Sequence, residues 1–256
     1  MQHAPAARPP LAAVLSAVLA LTAAACAGGG RTAERAATPA PTAPRSPAAL
    51  TPTAVPPVLT RGQARAALIT EDDLGEAWEP TRGAATWRDE LLKATTERPD
   101  CGRLLDVLYT EDLFGTATAP RATAALDDAD GGAQLHYRVT SHRAADLDRT
   151  LAWLGTLPDT CGRFTSRAAQ GAARSVRVAA LTLPEAGEAR QGVRVTVDGG
   201  GDTVLTVDLV AVRVGDDAAS LTNGTLTEPA TDATWTATDT GARRLTEVRR
   251  QGRAQV

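Results

Sequence analysis

From residue 61 onward the hydrophobic positions switch between two periods. Ala64, Ala67 and Leu68 fall at the spacing of a short helix, and Asp72-Asp73-Leu74-Gly75 follows before Trp78. A second helix is predicted to begin near Pro99 and to carry Leu104, Leu105 and Leu108 on one side. Leu135, Tyr137 and Val139 then alternate with His136, Arg138 and Thr140, the two-residue period of a strand with one buried face. The period changes again after Ser141, which reads as an N-cap. Ala144, Leu147, Leu151 and Leu154 recur at helical spacing, and Gly155 and Pro158 read as the stop. Strand patterns resume at Val176 and Val178, at Val193, Val195 and Val197, and over 204–214. In the last of these, Leu205, Val207 and Leu209 share one parity while Val204, Val210, Val212 and Val214 share the other. That strand is therefore expected to be covered on both faces and to lie centrally.

Glycine-rich acidic turns at 127–132, 198–202 and 215–217 link these strands, and short links join antiparallel neighbours. Ala242, Leu245 and Val248 predict a closing helix over 241–250, although Gly241 and the threonines before it are poor helix formers. The order of elements predicts an α+β domain: a mainly antiparallel sheet with helices packed on it.

The N-terminus changes the picture. Arg8 precedes an apolar run over 11–25, about fifteen residues, shorter than the roughly twenty a membrane-spanning helix needs, so it fits a signal peptide that is cleaved. Leu21-Thr22-Ala23-Ala24-Ala25-Cys26 resembles the bacterial lipobox, which implies lipidation of Cys26. Ala23 stands where that pattern usually has leucine, and plain secretion is the alternative. Three cysteines in an exported chain leave one over after a disulfide, and Cys26 is the one beside the apolar run. Two or three acyl chains give durable anchoring on the outer leaflet of the cytoplasmic membrane, where a single chain does not. Residues 26–60 are rich in Ala, Thr and Pro, with prolines every few positions, and are expected to form a disordered, semi-stiff tether. The predicted organisation is a signal peptide at 1–25, the tether at 26–60 and an α+β domain at 61–256. Such a chain sits on the extracytoplasmic face of the membrane, or is secreted.

The net charge of −3, with no polybasic block in the first hundred residues, argues against nucleic acid as a partner. Cys101 and Cys161, the only cysteines of the domain, are expected to pair where export permits a stable bond.

Taken together, Ala67-Leu68-Ile69-Thr70-Glu71-Asp72-Asp73-Leu74, the cysteine-headed helix beginning at Cys101, the Ala-rich helix leading to Cys161-Gly162 and the late valine-rich strands resemble the PknH-type extracellular sensor domains found in actinobacterial kinases and lipoproteins. The resemblance spans about residues 61–250. It implies a non-enzymatic α+β domain whose sheet and helices frame a ligand-binding cleft. This chain has one cysteine pair where the kinase's domain has two, and it lacks the kinase segments.

A search for chemistry returns little. The turn at 127–132 lacks the alternating ligands and distal glutamate of a calcium loop and reads as a hairpin turn. His136 and His142 lack zinc-site spacing, so no metal or cofactor is expected. Ser141-His142 is not a nucleophile arrangement, and Asn223-Gly224 reads first as a turn. Three features suggest binding. Trp153 projects about 130° from the apolar stripe of its helix at 100° per residue. Arg138, Arg177 and Arg194, with His136, lie on the polar parity of strands and would line an anion-binding surface if they shared a face. Arg243, Arg244, Arg249, Arg250 and Arg253 crowd the C-terminus, where they would meet anionic headgroups or solvent. The expected function is a lipid-anchored, non-catalytic envelope lipoprotein that binds or senses an envelope ligand, a lipid or a cell-wall molecule. The alternative is a structural protein that docks an envelope protein.

Overall fold

The structure is a computed structural model and describes residues 59–115, 117, 121–168 and 171–254. The expectations for the signal peptide, Cys26 and the tether lie outside the described residues. Residues 59–254 are built around one nine-stranded sheet, antiparallel at every pairing, in the order β1-β3-β4-β9-β8-β7-β6-β5-β2. The strands are β1 (Trp78–Pro80), β2 (Ala94–Thr95), β3 (Ala122–Asp128), β4 (Gln134–Ser141), β5 (Arg163–Ala168), β6 (Ala173–Ala180), β7 (Ala189–Gly200), β8 (Thr203–Val214) and β9 (Asp217–Thr225). The helices are α1 (Arg61–Ala66), α2 (Glu71–Leu74), α3 (Pro99–Thr110), α4 (Ala144–Thr160) and α5 (Thr231–Ala254), with a π-helical turn at Arg88–Leu92. After the β3–β4 hairpin, α4 carries the chain across the sheet to β5. Strands β5 to β9 then return by successive hairpins until β9 pairs with β4.

Strand β8 is the fifth of nine, and its two parities feed two cores, as its sequence predicts. Leu205, Val207 and Leu209 pack with Val193, Val195, Val176 and Val178 beneath α3 and α4. Val210, Val212 and Val214 pack with Leu135, Tyr137 and Val139 beneath α1 and α5. Three layers result: helices, sheet, helices. On the first face Cys101, in the opening turn of α3, is disulfide-bonded to Cys161 at the end of α4, with Cα atoms 5.6 Å apart and both residues buried.

Four local expectations need correction. Ser141 does not cap α4. It ends β4 and its hydroxyl bonds Asp217, while the Ala144 amide at the start of α4 donates to Asp216 Oδ1 at 3.0 Å. The cap is thus supplied by the β8–β9 turn, from a position remote in sequence. Helix α4 does not stop at Gly155 or Pro158 but continues to Thr160, since its last turn is pinned by the disulfide and by Leu154 and Leu157 in the core. Helix α5 starts at Thr231, ten residues before the predicted 241. Its threonines are accommodated because their hydroxyls bond backward or sideways: Thr238 donates to the Thr234 carbonyl at 2.7 Å and Thr234 to Asp208 at 3.0 Å. Gly241 is required by packing, since a Cβ there would overlap the Tyr137 hydroxyl. Finally, Asn223-Gly224 is no turn. Both residues lie in β9, all nine residues of which are buried, and a Cβ on Gly224 would overlap the Trp87 ring.

Candidate functional site

The C-terminus of α3 positions the site. Its capping residue, Glu111, adopts the left-handed conformation (φ 57°) usually given to glycine, and its amide donates to the Val107 carbonyl at 2.7 Å. It is the one non-glycine residue with positive φ among the described residues. That backbone turns the carboxylate toward β4, where Glu111 Oε2 lies 2.9 Å from His136 Nδ1. Arg88 approaches from the π-helical turn, 2.5 Å from Glu111 Oε1 and donating to the Leu108 carbonyl at 3.1 Å. Burial by itself would raise the Glu111 pKa. The hydrogen bond and charge of His136, with the charges of Arg88 and Arg138, outweigh it and hold the carboxyl below its usual range.

The far side of His136 is fixed as well. Gln134 Oε1 accepts from the Ala85 amide at 3.1 Å while its Nε2 donates to Gly83 O at 3.0 Å and Asp127 Oδ1 at 2.8 Å, which sets the orientation of the amide. His136 Nε2, 3.1 Å from Gln134 Oε1, therefore donates. Nδ1 faces the Glu111 carboxylate, so both ring nitrogens have partners.

Beside this chain of contacts is a partly enclosed cavity of about 140 Å³. Val107, Leu113 and Leu209 form its apolar part, and His136, Arg138 and Thr222 contribute polar groups. Strand pairing explains the grouping. Antiparallel register sets His136 opposite Thr222 and Arg138 opposite Ser220, so the four side chains stand on one face. Arg138 Nη1 reaches Asp112 Oδ1 at 3.3 Å; its Nε and Nη2 have no partner among the described residues. Thr222, 6% exposed, has a buried hydroxyl without a hydrogen-bond partner among the described residues. A buried hydroxyl left unpaired is costly, so this atom marks a place where something with a polar group fits.

The sequence candidates separate. His136 and Arg138 belong to this cavity. Arg194 points to the opposite face, where Nε and Nη2 grip the Asp208 carboxylate at 2.6 and 2.9 Å and Nη2 also reaches Thr231. Arg177 shares that parity and is exposed. The four thus do not form a single anion-binding surface: the two pairs are divided by the sheet. Trp153 faces α3, with the Arg103 guanidinium 3.8 Å from its ring centroid and Nε1 donating to Asp100 at 3.2 Å, which makes it an intramolecular contact. Arg244 and Arg249 also turn inward, Arg244 onto both Asp73 oxygens and Arg249 onto buried Asp217. In the 127–132 turn, Asp128 Oδ1 accepts from the Asp130 and Gly131 amides, the local bonding of a hairpin turn. His142 is buried against Phe114, with ring centroids 5.6 Å apart, and burial lowers its pKa against the opposing pull of Asp112, Asp146 and Asp217.

Glu111, Arg88, Gln134 and Thr222 were not candidates in the sequence. Glu111 carries no local mark beyond following a helix, and Thr222 is one threonine among many. The single available sign was Asn223-Gly224, whose misreading as a turn hid the strand that carries Thr222.

Among the described residues, no group of three or more His, Cys, Asp or Glu side chains is placed to hold a metal ion, and no helix is long and apolar enough to cross a membrane. No family model and no curated protein matches the sequence. Among solved structures, the chain is similar to the extracellular domain of PknH from Mycobacterium tuberculosis, at 11% identity and a TM-score of 0.49, over 77% of this chain and 100% of that one. Nothing about a ligand of this chain follows from that likeness.

Proposed function

We propose that this protein is a non-catalytic binding domain of the bacterial envelope, held on the outer leaflet through lipidated Cys26 and the 26–60 tether, with the cavity between α3, β4 and β9 as its ligand site. The observation that supports this reading best is the coincidence of space and unmet polarity: a cavity of about 140 Å³ adjoins the unpartnered Thr222 hydroxyl and the half-used Arg138 guanidinium. That volume is close to one that accepts benzene in a protein core, so the ligand, or the part of it that enters, is small. A long acyl chain does not fit. Catalysis is disfavoured by how the reactive groups are committed, since the Glu111 carboxylate and both His136 nitrogens already face partners.

Native mass spectrometry of the exported chain under non-reducing conditions tests the reading. A discrete adduct on the wild type, lost on collisional activation and absent from an Ala125→Leu variant whose side chain fills the cavity, is the expected result. A ligand-free wild type would favour the docking of an envelope protein. Membrane fractionation checks the anchor: Cys26→Ala is expected to release the protein, and retention at wild-type levels would refute lipidation.

A further inference from the structure

We infer that the ligand of this cavity is a small carboxylate with a compact apolar body; the inference rests on the cavity being the binding site. The polar groups around it fall into two sets. Glu111 is neutralised in place by Arg88 at 2.5 Å and His136 at 2.9 Å, and the rigidly oriented Gln134 amide is consumed by Ala85, Gly83, Asp127 and His136. Glu111 Oε1 makes no hydrogen bond but is held in the ion pair with Arg88. The other groups left without a partner can donate: Arg138 Nε and Nη2, and the Thr222 hydroxyl, with Ser220 opposite Arg138 across the strand pair. A site offering unpaired donors and no free carboxylate inside selects an acceptor-rich group.

Arg88 is spent on Glu111, so the guanidinium left to face a ligand is that of Arg138. Asp112 shows how the ligand group would sit. Its carboxylate touches Arg138 through one nitrogen at 3.3 Å, and its side chain is 39% exposed, so it holds Arg138 loosely from the mouth. A ligand carboxylate offering two oxygens to the guanidinium makes the closer bidentate pair and displaces it. The apolar body then lies against Val107, Leu113 and Leu209. The volume of about 140 Å³ limits that body to roughly one ring or a short branched chain.

Ligand-observed NMR on the full exported chain separates this inference from the broader reading, with benzoate as the probe and benzyl alcohol as its neutral counterpart. Benzoate is expected to bind about tenfold more tightly than benzyl alcohol. Arg138→Gln and Thr222→Val are each expected to weaken benzoate by a larger factor than benzyl alcohol, so that the preference for benzoate narrows. Asp112→Asn, which removes the competing carboxylate, is expected to strengthen benzoate binding. Thermal melts of each variant establish that it is folded; Thr222→Val, nearly isosteric, carries the test if Arg138→Gln is not. Equal binding of the two probes, or benzoate binding untouched by Thr222→Val and Asp112→Asn, overturns the carboxylate inference and leaves the cavity as a site for neutral ligands. Binding of neither probe overturns both.

Discussion

The two faces of the sheet handle buried polarity in different ways. Beneath α5 the charged groups are bolts. Asp208, 2% exposed, is held by Arg194 and Thr234; Asp217, 1% exposed, by Arg249 and Ser141; and Arg244 locks α5 to α2 through Asp73. An orphan does exist there, the Tyr137 hydroxyl, yet it is pressed against Gly241. Burial pushes its pKa well above the usual range for a phenol. Beneath α3 the Thr222 hydroxyl is equally unpartnered, but Thr222 lines a cavity. An unpaired polar atom is therefore not a site by itself. It becomes one where there is room for a partner to arrive.

The largest effect expected on the α5 face is that of Arg249→Ala, which leaves buried Asp217 without its cation and is predicted to cost about 3–5 kcal/mol in denaturant unfolding. On the α3 face, replacing Cys101 and Cys161 by serine opens a sixty-residue loop and is predicted to cost about 4 kcal/mol, with the same loss on reducing the wild type. If that face proved indifferent to the disulfide, its rigidity around the cavity would need another source. Thr222→Val sharpens the comparison at smaller scale: removal of an unpaired hydroxyl is predicted to stabilise the unliganded domain by about 1 kcal/mol. Trp153→Phe, which loses the bond to exposed Asp100 and weakens the contact with the Arg103 guanidinium, is predicted to cost less than about 1 kcal/mol.

Glu111 and Asp217 differ in the sign of their pH dependence. Glu111 has a lowered pKa, so its contribution is present above its unfolded value of 4.5 and is lost as pH falls through the lowered one. The cost of Glu111→Gln is therefore expected at neutral pH and should fade in acid. Asp217 is the reverse case. Desolvation raises its pKa despite Ser141 and Arg249, so stability present below its unfolded value of 3.8 is lost as pH rises through the raised one. Asp217→Asn should gain on the wild type over that rise. Parallel pH profiles for the two variants would contradict the contrast.

The fold was largely legible because its signals were local and periodic. The double parity of 204–214 announced the central strand, and the helical spacing from Ala144 to Leu154 announced α4. Elements whose shape is set by distant partners were not legible. Strand β9 has a single large apolar residue, Leu221, among Asp, Ala, Ser, Thr, Asn and Gly, and is a strand because β4 and β8 flank it. The early start of α5 depends on Asp208 receiving Thr234. The site was half legible for the same reason. Alternation in β4 put His136 and Arg138 on one face, but their grouping with Thr222 is a matter of register, and the separation of Arg194 a matter of which helix covers which parity.

Hydrogen exchange of the full exported chain, with and without the small-molecule fraction of a bacterial envelope extract, tests the central claim most directly. The account predicts added protection in β4, β9 and residues 107–113, with α5 unchanged. Protection gained along α5 instead, or nowhere, would contradict it.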